Sequence, residues 1–149
     1  NKYLANDIGY KNILLTARTL RGHDLISALS IKLKPISRRD VIKSRLMYTM
    51  LSCFAIIVYP FSPNATKYSM SAVKWAMHSC FFVNEGKSAN LQEEIEYFRK
   101  RKKDKKVYDD LRALRNAYSP SLSFSIKSVF FIWSLFTDTL KFNNFPKEF

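Results

Sequence analysis

Glycine is nearly missing from this chain, with three residues in 149. That scarcity excludes a glycine-rich loop cradling phosphate, and no run of short alternating strands with Asn-Gly turns is present. Cysteine is equally scarce. Cys53 and Cys80 both lie inside apolar runs, which fits buried thiols in a reducing, intracellular compartment better than a disulfide framework; a bridge between them stays open. No segment has the basic start, apolar middle and small-residue cleavage site of a signal peptide. No period of roughly 20–50 residues recurs to indicate a solenoid. Acidic residues number twelve, clustering only at 93–96 and 109–110, where helix-dipole and intrahelical roles account for them. No nucleophile has a general base beside it, no His-Glu-x-x-His pattern occurs, and His78 with Cys80 makes no closed metal site. Neither enzyme chemistry nor a metal or cofactor is expected.

What is abundant is positive charge and large rings. Twenty-five Lys and Arg against twelve Asp and Glu give a net charge of +13. Like charge repels itself in the compact state, and such a surplus persists where a polyanion neutralises it. Residues 1–45 hold ten basic and three acidic groups, 46–98 three and four, and 99–149 twelve and five. Two basic flanks thus enclose a nearly neutral middle. With 47% apolar and 15% aromatic residues, the chain has ample material for a core.

The breakers divide the chain into helix-length segments. Ala5 to Leu20 and His23 to Leu33 are the first two, with Gly22 as a left-handed stop between them. Ser37 and Asp40 form the sequence signature of a capping box for a third helix. From Val41 to Val58 that helix is apolar on nearly all sides, which predicts an element surrounded by neighbours. A fourth helix starts at Ser62-Pro63 and ends near Gly86. Asn90 opens a segment to about Tyr118, and Ser119-Pro120-Ser121 precedes a last, very aromatic helix over about Ser123 to Lys141. The expected fold is all-α, a single bundle of about five to six helices, with one domain over 1–141 and an aromatic tail over 142–149.

The segment 90–118 is unusual. Leu91, Ile95 and Phe98 share one helical face, and so do Val107, Leu111, Leu114 and Tyr118, yet the two stripes point about 165° apart. Either one long basic helix bridges two packing partners, or the chain breaks near 99–106 and folds back as a hairpin. The absence of Gly and Pro there favours the continuous helix.

Arg99, Lys100, Arg101, Lys102, Lys103, Lys105 and Lys106 place seven cations in eight positions with no apolar residue among them. Such a run is either a solvated surface or a phosphate-binding one with salt-sensitive affinity. Arg38, Arg39 and Lys43 lie at a helix start, against the dipole preference, where an anion would be welcomed. The tail rings Phe142, Phe145 and Phe149 either fold back on the bundle or insert into a partner subunit, with docking on a partner preferred. Phe124, Phe130, Phe131, Trp133 and Phe136 could stack bases, although helical spacing favours a core role.

Arg18 and His23, with Arg115-Asn116, resemble the HEPN superfamily of helical RNA-binding and RNA-cleaving domains, whose motif is Arg, a polar residue, then His. The resemblance implies an RNA-binding domain or a degenerate ribonuclease. It departs from the pattern where Pro120 stands in place of a His after Arg115-Asn116. The favoured reading is a non-enzymatic subunit binding RNA or DNA within a larger nucleoprotein assembly. A membrane-associated structural subunit is the alternative. Residues 46–66 carry no charge over twenty-one positions, with Arg38, Arg39, Lys43 and Arg45 beside them as a positive-inside pattern would require. However, the strongly apolar part, Leu46 to Phe61, is about sixteen residues, short of the ~20 needed to cross a bilayer. A buried central helix is therefore preferred.

Overall fold

The computed structural model describes residues 35–101, 106–143, Ile8 and Phe145. All the regular elements among them are helical: α1 (Arg38–Val58), a 3-10 turn (Tyr59–Phe61), α2 (Ala65–Glu85), α3 (Leu91–Arg101), α4 (Lys106–Asn116) and α5 (Leu122–Phe142). The first two expected helices lie outside the described residues, except that Ile8 is helical and fully buried in the core.

Local chemistry sets the helix ends. Ser37 and Asp40 make the expected reciprocal box at the start of α1. Asn90 and Glu93 repeat the arrangement before α3, and Ser121 caps α5 by accepting from the Phe124 N–H. Gly86 ends α2 in the left-handed region, at φ +68°, donating its N–H to the Phe82 carbonyl. The Ser62-Pro63 signal precedes its helix by more than expected: α2 begins at Ala65, and Ser62 accepts from the Asn64 N–H instead.

Three helices of 21 residues each, α1, α2 and α5, pack against one another and form the body of the bundle. Tyr48 meets Ser79 while Ser52 meets Ser69, so α1 and α2 run antiparallel. Tyr48 stacks on Phe136 and Ser52 reaches the Ser125 carbonyl, so α5 is antiparallel to α1 as well. Thr66 bonds Ser121 at one end and Asn84 bonds Asn143 at the other, aligning α2 with α5.

The seam between these helices is built largely from small side chains. Ser44, Ser52 and Ala55 of α1, Ser69, Ala72, Ala76 and Ser79 of α2, and Ser125 and Ser128 of α5 are all buried. Small residues let helix axes approach closely, and a buried hydroxyl must find a partner. Ser128 and Thr139 donate to carbonyls one turn back, and Ser52 bonds across the seam. Larger groups fill the volume towards α3 and α4, where Phe81 meets Tyr97 and Tyr108 meets Phe131 edge-on.

Helix α1 is therefore present but not surrounded. Its buried positions, Val41, Ser44, Tyr48, Ser52 and Ala55, form one stripe. The opposite side is open, with Met50 70%, Ile57 68% and Phe61 86% exposed. The sequence expectation of a helix enclosed on all sides fails because one stripe, Ser44, Ser52 and Ala55 with Val41 and Tyr48, takes the contacts with neighbours.

The segment 90–118 holds two helices with different packing partners: α3 on α2, and α4 on α5. The offset of their apolar stripes requires this. Arg99 and Asp109 approach to 3.7 Å, whereas one straight helix would separate them by about 15 Å along its axis. The described residues 91–101 and 106–116 are therefore not parts of one straight helix, and the preference for a continuous helix is corrected. Residues 102–105 lie outside the described residues.

The seam can be tested directly. Ser52→Leu is expected to lower the unfolding free energy in urea titrations by about 1–3 kcal/mol through overpacking. Ser52→Ala is expected to cost about 1 kcal/mol or less. A leucine variant as stable as the parent would show that the seam is not close-packed.

Candidate functional site: an apolar flank with a cationic end

Arg39, Lys43, Leu46, Met47, Met50, Phe54 and Ile57 fall within an arc of about 100° on α1 at helical spacing. Each is exposed. The stripe is cationic for its first turn and a half and then purely apolar. From Leu46 to Phe61 it is roughly 24 Å long at 1.5 Å per residue. On α5, Leu122, Ile126, Phe130 and Trp133 make a second exposed stripe, within an arc of about 80° and about 18 Å long.

Contacts join these rows into one flank. Phe54 meets the exposed Tyr68 of α2 edge-on, with ring centroids 5.8 Å apart. On the other side of α1, the Arg45 guanidinium lies 4.0 Å over the Trp133 ring. The aromatic cluster of 124–136 is thereby divided. Phe124, Phe131 and Phe136 are core, while Phe130 (71% exposed) and Trp133 (46%) belong to the flank. Helix α2 is different: its outward Lys67, Ser71 and Lys74 are exposed and polar.

The cations gather at one end of the bundle. Arg38, Arg39 and Lys43 start α1, Lys141 ends α5, and Arg99, Lys100 and Arg101 end α3, close to Glu85 at the end of α2. Among the described contacts, Arg99 pairs with Asp109, and Arg101 pairs with Glu85 while lying 3.8 Å over the Tyr97 ring. Lys106 opens α4 and is exposed; Lys102, Lys103 and Lys105 lie outside the described residues. At the start of α1, Ser37 and Asp40 already satisfy the first-turn N–H groups that an anion would use. The opposite end, residues 59–64 and 117–121, carries no charge.

Of the tail rings, Phe145 folds back and packs, half-buried, against the core, while Phe142 ends α5 at 84% exposure. Phe149 lies outside the described residues. A cleft of about 510 Å³ between the ends of α2, α3 and α5 is lined by Glu85, Tyr97, Arg101, Asp138 and Phe142, among others. The Arg101–Glu85 pair and the Tyr97 stack occupy its charged side.

His78 is not an isolated core residue. Its Nδ1 pairs with the Glu94 carboxylate, which is 1% exposed, and Trp75 meets the imidazole edge-on. This pair ties α3 to α2. The carboxylates at 93–96 read in sequence as dipole partners, and only the spatial neighbour distinguishes Glu94. Among the described residues no group of three or more potential metal ligands occurs. Cys80, buried, and Cys53, half-buried, do not form a disulfide. Arg115 and Asn116 end α4, exposed, while Arg18 and His23 lie outside the described residues.

Comparison with known proteins finds no matching family model, no matching curated protein and no matching solved structure.

Unfolding measurements should expose the buried pair. His78→Leu leaves the Glu94 carboxylate unpaired and is expected to cost about 3 kcal/mol. His78→Leu combined with Glu94→Leu is expected to cost less than the single change. The reverse order would show that the pair does not hold α3.

Proposed function

We propose that the chain is a membrane-associated structural subunit that meets an anionic bilayer side-on through the flank formed by α1 and α5. The observation that carries this reading is the α1 stripe, in which two exposed cations lead directly into exposed Met50, Phe54 and Ile57. Water is a poor solvent for such a row, and contiguous exposed apolar surface marks an interaction face. A bilayer satisfies both parts: acyl chains take the apolar side chains, and anionic headgroups take Arg39 and Lys43.

Helix Arg38–Phe61 is long and apolar enough to cross a membrane, and 28% of its most apolar window is buried in the fold. The polar outer side of α2 favours a different placement. A bundle inserted upright would set Lys67 and Lys74 against acyl chains, at a cost of about 2.5–3.5 kcal/mol for each cation near the bilayer centre. Lying on its α1–α5 flank, the bundle keeps α2, α3 and α4 in water.

A nucleic-acid-binding subunit is the competing reading, resting on the net charge of +13. It gives no role to the exposed apolar flank, and two of its described cations already share their charge with Glu85 and Asp109.

Flotation with phosphatidylcholine vesicles containing phosphatidylglycerol separates the two. The parent chain is expected to float. Met50→Ser with Ile57→Ser is expected to weaken association about tenfold to a hundredfold, with unchanged helicity because both side chains face outward. Failure of the parent chain to float, together with retention on immobilised RNA or DNA that falls steeply with salt, would overturn the membrane reading in favour of nucleic acid.

A further inference from the structure

We infer that the boundary between α1 and α5 at Arg45 is a headgroup site, in which the Arg45 guanidinium takes the phosphate of an anionic phospholipid while Trp133 supports it from below. This inference rests on the membrane reading and adds a specific ligand contact to it.

Arg45 is the last charged residue before the uncharged stretch 46–66. It stands at the boundary between the apolar part of the flank and the cationic end, the level that headgroup phosphates occupy when the flank is seated in lipid. Trp133 lies at the matching boundary of the α5 stripe, and an amphipathic indole suits that level. The two side chains are stacked, with 4.0 Å between the guanidinium carbon and the ring centroid.

The guanidinium has unused capacity. Of its five N–H donors, one reaches a protein acceptor, the Thr137 hydroxyl, at a long 3.5 Å. Its Nε is buried with no hydrogen-bond partner, as is the Thr49 hydroxyl one turn further along α1. Among the described residues no carboxylate forms an ion pair with Arg45, in contrast to Arg99 and Arg101. The Thr137 hydroxyl donates to the Trp133 carbonyl at 2.8 Å, which leaves its oxygen to accept from the guanidinium and hold it in place. A planar cation fixed by a ring on one face and a hydroxyl at one edge is preorganised for two parallel hydrogen bonds to a phosphodiester.

The choice of arginine gives the decisive experiment. Arg45→Lys keeps the charge and loses the fork and the stack. The probe is vesicle flotation with phosphatidylcholine alone, with added phosphatidylglycerol, and with added phosphatidylglycerol in millimolar inorganic phosphate. We expect Arg45→Lys to weaken association with the anionic vesicles about tenfold, and to reduce the weaker association with pure phosphatidylcholine in the same direction, because its headgroup carries the same phosphodiester. Lys43→Gln, which removes a delocalised surface attraction, is expected to cost about fivefold on the anionic vesicles. Inorganic phosphate should not compete, because the lipid is held by its chains as well.

Equal binding by Arg45→Lys and the parent on anionic vesicles would overturn the site while leaving the membrane reading intact. Absence of flotation for every variant and every lipid would instead overturn the membrane reading. Competition by inorganic phosphate would show a soluble phosphate ligand and also reject the headgroup assignment. Trp133 emission gives a second readout in a Trp75→Phe variant, where it is the remaining tryptophan: a blue shift with anionic vesicles and none with inorganic phosphate supports the site, and no shift with either opposes it.

Discussion

The distance between the three long helices is set by serine and alanine, and the character of the surface follows from that choice. Ser44, Ser52, Ser69, Ser79, Ser125 and Ser128 occupy positions where a soluble bundle would usually place leucine. A seam of this kind gains little from transfer of apolar area out of water. Its stability comes from close backbone approach, dispersion contacts and hydroxyls that bond one turn back or across the gap. Most of the large apolar side chains of α1 are then turned outward or only half-buried, whereas α5 keeps Phe124, Phe131, Ile132, Leu135 and Phe136 inside and exposes Leu122, Ile126, Phe130 and Trp133. An open apolar flank is thus the geometric complement of a small-residue seam.

Helices α3 and α4 compensate on the other sides of the bundle. Each carries a single apolar stripe, and each is pinned by a polar contact as well: His78–Glu94 for α3, and Lys127–Asp110, at 3.4 Å, for α4. The two polar contacts differ in weight. Lys127 and Asp110 are each about a third exposed, so their attraction is screened and contributes little. Glu94 is enclosed, and removing its partner would strand a carboxylate. The core on this side is conventional, with Phe81, Phe98, Tyr108 and Phe131 buried. The interior therefore grades from a seam rich in small residues, with the Tyr48–Phe136 stack within it, to a side filled by rings under α3 and α4.

Much of the fold was legible in the sequence where a residue has one local job. Gly86 can end a helix in the left-handed region, Ser37 with Asp40 can cap one, and the prolines near 60 and 120 stop what precedes them. The opposed stripes of 91–98 and 107–118 also indicated two packing partners; composition alone then misled, because a chain can bend without glycine or proline when its two halves are pulled to different neighbours. The open side of α1 was harder to see. In a helix apolar on nearly every side, hydrophobic periodicity has no contrast and so cannot point. The contrast lay in size and polarity, with Ser44, Tyr48, Ser52 and Ala55 recurring on one face. Glu94 was invisible for another reason, because nothing local separates it from Glu93 and Glu96 until His78 is placed beside it.

The charge pattern varies in the same direction as the interior. A net charge of +13 says that the chain tolerates anions but not which ones; the answer depends on which cations remain unspent. Arg99 and Arg101, on the ring-packed side, lean on Asp109, Glu85 and Tyr97. Arg45, on the apolar flank, has a ring beneath it and no carboxylate beside it among the described residues. Arginine retained at the edge of an apolar surface without an internal counter-charge is costly unless something outside supplies one, since its neighbours can desolvate but not neutralise it. Nucleic acid would supply that charge while leaving Met50, Ile57 and Phe130 in water. An anionic lipid supplies the phosphate and the apolar phase together, at the spacing the flank already has. That joint requirement, rather than the excess of lysine and arginine as such, is why the flank rather than the basic run is the surface most in need of a partner.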